Sequence, residues 1–162
     1  TQIKRPDRLL DIAAQIVQRG ESVNFLVAGE GELFDQCKER ARKESLPVTF
    51  LGWRKDIDNL FAASDIAILT SDNEGIPLTL IQAAQAGLPI VAPSVGSISD
   101  IVENDVTGFL TAPQSGAMAS ALSALVSDAS LRNKLGGAGK ARAHEYFSLD
   151  RMLRDHTGIY NS

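Results

Sequence analysis

The sequence is short of several things, and each shortage narrows what it can be. It holds one cysteine, Cys37, in 162 residues. A single thiol closes no intrachain disulfide, so a reducing compartment is the expectation. No run of 18 or more apolar residues occurs, which gives no basis for a membrane-crossing helix. No secretory leader is recognisable, and the first residue is Thr1 rather than Met, so the chain is expected to be an excised domain of a longer cytoplasmic protein. Positive charge is not in surplus: Lys and Arg number 16 against 20 Asp and Glu. The net charge of -4 is a poor basis for general nucleic-acid binding, although a local basic site for a phosphate stays open. No Walker A run is present. "AGEGELF" fails as a dinucleotide fingerprint because Phe34 stands where the third glycine belongs. His144 and His156 have no carboxylate or cysteine cluster around them in sequence, which gives no basis for a metal site. No Ser/His/Asp arrangement can be argued either.

What is present is enough for one packed domain: 44% of residues are hydrophobic and 22% charged. Residues 6–18 carry Leu9, Ile12, Ala13, Ile16 and Val17 at helical spacing, with Gly20 as the stop. "VNFLVAG", "VTFLG", "DIAILT", "PIVAPS" and "TGFLT" read as strands. Helices are expected between them at "ELFDQCKERARKES", at "DIDNLFAAS" with Asp56 as N-cap, from about Pro77 to Ala86, and at "ISDIVEN". Cys37 then reads as a plain helix residue. Helices follow at "GAMASALSALVSD", at "SLRNKLGGAGKARAHEYF" with a kink at Gly136-Gly137, and at 149–160. The strands are continuous apolar runs and alternate with helices. That pattern predicts an α/β, Rossmann-like, doubly wound parallel sheet covered on both faces.

Ligands of such folds bind beyond the carboxyl ends of the strands. The loops there hold Gly29 to Gly31, Trp53 and Arg54, Ser71 to Gly75, and Ser94 to Ser97. Gly29 and Gly31 suit a tight strand-to-helix turn and also allow a bound group to approach the backbone. Trp53 and Arg54 are either an exposed loop pair or a surface for a base. Lys4 and Arg5 are either a solvated basic end or an anion site. The richest stretch is "SDNEGIPLTLIQAAQAGLPIVAPSVG" from Ser71 to Gly96. Pro77 suits the first helical turn, because its missing N–H would be unpaired there. Its neighbours' amides then face Glu74 and Gly75, a place for anions or sugar hydroxyls. Thr79 and Gln82 share one face of an otherwise apolar helix. A buried amide without partners costs about 1–3 kcal/mol, so Gln82 is expected to have one, inside the protein or in a ligand. "SVGSIS" offers a second turn of amides.

Taken together these residues resemble the C-terminal domain of retaining GT-B glycosyltransferases, and more narrowly the group 1 family, family four. The match runs through Glu74-Gly75-Ile76-Pro77, Gln82-Ala83, Gly87-Leu88-Pro89-Ile90-Val91-Ala92, Gly96-Ser97 and Asp100. "VAGEGELF", "VTFLGW", "DIAILTSDNEG" and "NDVTGFLTAP" keep the family's order, so the resemblance covers nearly the whole chain. It implies a nucleotide-sugar domain, residues 1–162, that starts after its own first strand. A separate acceptor-binding domain would be absent. Lys4 and Glu74 would be the catalytic pair. Lys4 would neutralise the donor diphosphate, and Glu74 would hold the donor sugar hydroxyls. Gly29, Trp53, Arg54 and Asn73 would border the donor, as would Gly75, Ile76, Pro77, Leu78 and Thr79. Position 82 would meet the ribose.

Two departures stand out. Gln82 replaces the second carboxylate of the family's E-x7-E pair, which implies weaker or altered nucleotide binding. Asp100 replaces a Glu. The family's arginine, five residues before the Lys, would precede Thr1. The resemblance implies transfer from a UDP- or GDP-sugar with no cofactor and no metal. The acceptor would be a glycan, a lipid-linked or a small molecule. The full-length protein could associate peripherally with the inner face of a membrane. Two other readings stay open: a nucleotide-sugar epimerase of the same fold, and a non-catalytic binding module.

Overall fold

The structure, a computed structural model, describes residues 1–147. A short 3-10 turn, Gln2–Lys4, leads into helix α1 (Pro6–Gln18). Strand β1 (Phe25–Ala28), α2 (Phe34–Lys43), β2 (Val48–Gly52), α3 (Ile57–Ala62) and β3 (Ala67–Ile68) follow. Then come α4 (Leu78–Gln85), β4 (Ile90–Pro93), α5 (Ile98–Ile101), β5 (Gly108–Thr111), α6 (Ser115–Ser127) and α7 (Ala129–Tyr146). The strands and helices alternate as their periodicity predicts, and every ladder is parallel. The helix expected at 149–160, with His156, lies outside the described residues.

β4 shows why the strands are apolar throughout. All four of its residues are buried. Ile90 and Ala92 pack with Leu80 and Ala84 of α4, Ile98 and Ile101 of α5, and Ala143 of α7. Val91 packs in a separate cluster, with Ile12 and Ile16 of α1 and Met118 and Leu122 of α6. Successive strand residues point to opposite faces, so a strand with helices on both sides leaves no polar position. Ile90 and Val91 each contribute about 1.5–3 kcal/mol by leaving water.

The ladders fall into two groups, β1-β2 and β3-β4-β5. Residues of β1 and β3 line a cavity of about 800 Å³ together with Leu9, Leu122 and Val126. The N–H groups of Phe25 and Gly29 donate to Pro47 and Gly52, and those of Ala67 and Leu69 donate to Pro89 and Val91. By alternation, the N–H groups of Leu26 and Ile68 lie on the opposite edges of their strands.

Several local expectations change. Pro77 is the N-cap of α4, with ψ at 85°, and Leu78 is the first helical residue. The Pro77 carbonyl still accepts the first helical bonds, from Leu80 and Ile81. α4 is also half-buried rather than enclosed. Leu80, Ala83 and Ala84 face the core, whereas Thr79 and Gln82 are exposed and Leu78 is 67% exposed. Asp56 occupies the N-cap of α3, but its carboxylate turns to Arg54 instead of the helix amides. α7 passes through Gly136-Gly137 as one helix. Gly136 serves a close approach, since a Cβ there would lie 2.0 Å from the Gly87 carbonyl oxygen at the end of α4.

Candidate functional site

The loop that follows β3 gathers the charged residues. Thr70 and Ser71 are buried, and the chain then emerges at Asp72 and Asn73. Glu74 folds back, so that its side chain is only 8% exposed. The Lys4 ammonium donates to both of its oxygens, at 2.7 Å to Oε1 and 2.9 Å to Oε2. Ser71 Oγ donates to the same Oε1 at 2.6 Å. Lys4 reaches this loop because the 3-10 turn is stitched to it. Thr70 Oγ1 donates to the Lys4 carbonyl at 2.9 Å, and the Asp72 amide donates to the Ile3 carbonyl at 2.8 Å.

Two arginines brace the loop from below. Arg8 of α1 is buried and donates to the Thr70 carbonyl at 2.6 Å and to the Asp72 carboxylate. Arg5 takes a left-handed backbone, φ 49°, and bridges Asp7 and Asp72. Hydrogen bonds from these guanidiniums hold the carboxyls below the usual aspartate range: Arg8 first and then Arg5 at Asp72, and Arg5 at Asp7.

The turn after β4 supports the same loop from the other side. Gly96 has φ +54°, and a Cβ there would lie 2.0 Å from the Glu74 carbonyl oxygen. Only glycine fits that approach. The Ser97 amide donates to the same carbonyl at 3.3 Å, and the Ser97 hydroxyl oxygen is buried without a partner among the described residues.

The turns after β1 and β2 lean on each other. Gly29, at φ +117°, donates its N–H to the Gly52 carbonyl at 2.7 Å. The Trp53 amide donates to Glu30 Oε1 at 3.3 Å. Trp53 is 64% exposed, with the Lys55 ammonium 5.5 Å from its ring centroid. Arg54 is exposed but tied to Asp56 by a 2.6 Å ion pair.

The predicted residues thus fall into three groups. Lys4 and Glu74 meet. Asn73, Gly75 and Ile76 are exposed in the same loop as Glu74, with Ile76 at 72%, and Leu78, Thr79 and Gln82 are exposed on α4, while Pro77 is buried at its cap. Gly29, Trp53 and Arg54 form a separate rim. Gln82 is exposed rather than buried and makes no side-chain hydrogen bond among the described residues, so of the two partners left open for it, the protein interior or a ligand, the first is not made. Its amide sits in water, so nothing has to replace lost hydration. Nothing within 4 Å would meet a Cβ at Gly75, so the space before it is open. The sequence places Ser71 in the loop Ser71 to Gly75 but gives it no role, and it gives Arg8 none. A serine inside "LTSDNEG" was a signal for the first, and nothing in the pattern marked the second.

A further groove of about 530 Å³ runs between the 3-10 turn and α2. Its charged residues are already matched, Arg5 with Asp7 and Asp72, and Arg40 with Asp11 and Glu44. Cys37 borders it, and burial pushes its thiol up, away from reactivity. Among the described residues, no cluster of three His, Cys, Asp or Glu could hold a metal ion. None of their helices is long and apolar enough to cross a membrane.

The family model described as glycosyl transferases group 1 matches residues 1–142. The chain belongs to the group 1 glycosyltransferases. Relatives within reach include an Escherichia coli UDP-Gal:alpha-D-GlcNAc-diphosphoundecaprenol alpha-1,3-galactosyltransferase, 33% identical over 113 residues, which are 66% of this chain and 29% of that protein. The N-acetyl-alpha-D-glucosaminyl L-malate synthase of Bacillus anthracis is 25% identical over 98% of this chain and 42% of its own length. Among solved structures, Anabaena Alr3699/HepE in complex with UDP and glucose superposes with a TM-score of 0.89 at 25% identity, covering 100% of this chain and 46% of that one. S. aureus TarM superposes with a TM-score of 0.91 at 25% identity, covering 100% and 33%. This glycosyltransferase chain therefore spans less than half the length of these relatives, and its α/β fold with parallel sheets is that of GT-B enzymes.

Proposed function

We propose that this chain is the donor-binding domain of a retaining glycosyltransferase, taking a sugar from a nucleoside diphosphate to an acceptor held by a second domain. The observation that carries the reading is the meeting of Lys4 and Glu74 at the carboxyl end of the sheet. A cation for a diphosphate and a carboxylate for sugar hydroxyls stand 2.7 Å apart, beside the open backbone of Gly75 and the first turn of α4. In the reaction, the bond between the anomeric carbon and the diphosphate oxygen breaks. The acceptor hydroxyl oxygen bonds to that carbon from the same face, and its proton passes to the departing diphosphate. Lys4 and the helix-end amides would stabilise the charge that develops on the leaving group. Exposed Gln82 and Thr79 would lie along the nucleoside, and Trp53 would offer a stacking face. UDP is the favoured nucleotide, because it occupies the HepE complex and the Escherichia coli relative is named for UDP-Gal.

The cavity between β1 and β3 supports a domain that is longer at its amino end. Thr1 to Lys4 lie across the carboxyl ends of both strands: the Thr1 nitrogen stands near Gly31, and Ile3 is bonded to Asp72. A preceding strand that ended there and ran parallel to both would pair with each free edge. With α1 and β1 it would complete a βαβ unit.

The test is Lys4→Ala in the natural polypeptide that contains these residues. Transfer from a UDP-sugar should fall about 100-fold or more in kcat, as expected when a group that stabilises developing charge is lost. The melting temperature should fall modestly, because the mostly buried Glu74 loses its ammonium partner and keeps only Ser71, with the fold intact. Unchanged kinetics would remove Lys4 from the mechanism. Conversion of the donor sugar to its epimer without any acceptor would replace transfer by epimerisation.

A further inference from the structure

The two oxygens of Glu74 are held unequally. Oε1 accepts from Ser71 Oγ at 2.6 Å and from Lys4 at 2.7 Å, while Oε2 accepts, among the described residues, from Lys4 alone, at 2.9 Å. The two donors also differ in kind. Ser71 is fully buried, and its one hydroxyl proton is committed to the carboxylate, since an ionised carboxylate can only accept. Lys4 carries its ammonium on a flexible stem that is 54% exposed, with no other side-chain partner among the described residues.

We propose that Ser71 is the positioning residue of Glu74, keeping Oε1 fixed when a diphosphate draws Lys4 away, so that Oε2 alone is presented to a hydroxyl of the donor sugar. The inference rests on the nucleotide-sugar reading of the site. A carboxylate with so little exposure would be poorly served by water once the ammonium leaves, and a sugar hydroxyl supplies the replacement donor. The exchange makes the two halves of the donor interdependent. The diphosphate takes the cation, and the sugar fills the acceptor thereby vacated. A nucleotide without a sugar would leave Oε2 without that donor.

The experiment compares UDP with UDP-glucose, UDP-galactose and UDP-N-acetylglucosamine by calorimetry. It uses the natural polypeptide, wild type, Ser71→Ala and Ser71→Thr, with melting curves to confirm the fold. Wild type should bind one UDP-sugar more tightly than UDP. Ser71→Ala should cut that sugar advantage about tenfold while UDP itself binds within about twofold of wild type, the loss expected for one hydrogen bond to a charged group. Ser71→Thr, which keeps the hydroxyl, should restore the advantage. Ser71→Cys, a near-isostere with a weaker donor, takes the place of Ser71→Ala should that variant not fold, and should show a smaller loss in the same direction. A sugar advantage that survives in Ser71→Ala overturns the positioning role and leaves the donor site standing. An equal loss for UDP and UDP-sugar reduces Ser71 to a structural residue. Absence of any sugar advantage in wild type, with UDP still bound, overturns this inference, and absence of UDP binding as well overturns the donor-site reading.

Discussion

Gln82 is the residue where sequence and structure meet most usefully. It stands where the family resemblance implies a carboxylate, and it is exposed on the same face of α4 as Thr79. An amide offers one acceptor oxygen, whereas a carboxylate offers two and carries charge. Hydrogen bonds to an ionised partner exceed neutral ones by about 1 kcal/mol. Gln82→Glu should therefore tighten UDP binding about fivefold, measured by calorimetry, with no change in melting temperature, because the side chain touches no described partner. An unchanged UDP affinity would place position 82 away from the ribose. Lys4 teaches a related lesson. Its sequence position suggested only a basic end or an anion site, and the structure gives it a specific partner, Glu74, seventy residues away.

At the scale of elements, α4 and α7 show how small residues set geometry. Their contact runs through Gly136, whose missing side chain lets α7 approach the Gly87 carbonyl. Gly136→Ala forces either the helix or the α4 terminus to move, and should lower stability by about 1–3 kcal/mol in urea denaturation. Gly137, its neighbour, has nothing within 4 Å of a Cβ. There Gly137→Ala should raise stability by about 0.5–1 kcal/mol, by removing the conformational freedom glycine has in the unfolded chain. Equal effects at the two positions would contradict the packing account. The pair reads in sequence as a kink signal, and only the facing carbonyl shows that one glycine is required and the other is not. Pro77 illustrates the reverse. Its place at the helix start was legible from its chemistry, and the structure moves it one position outward, to the cap.

For the whole molecule, the split between β1-β2 and β3-β4-β5 has a physical consequence. Apolar residues and free strand edges border an 800 Å³ cavity, with Leu26 41% exposed, and apolar surface left in water forgoes the gain from burial. If a preceding strand fills the cavity, the 162-residue chain should melt well below a version extended upstream by its natural sequence. The amides of Leu26 and Ile68 should exchange fast in the first and slowly in the second, as hydrogen-exchange NMR would read. Slow exchange of both amides in the short chain would mean that the edges are satisfied without such a strand.

The sequence by itself determined the order of strands and helices, their parallel pairing and the loops that carry the candidate site. Those features follow from local rules: apolar runs, helical periodicity, and glycine or proline at chain reversals. It also carried the family resemblance, down to Glu74, Gly75 and the odd Gln82. Only the tertiary structure decided which charges meet. The Lys4–Glu74 pair, the Ser71 hydroxyl beneath it, the Arg8 brace and the Gly96 contact join residues from three separate stretches of the chain. Spacing along a chain cannot report a distance set by packing two helices and two turns against one sheet edge, and that distance is what makes a site.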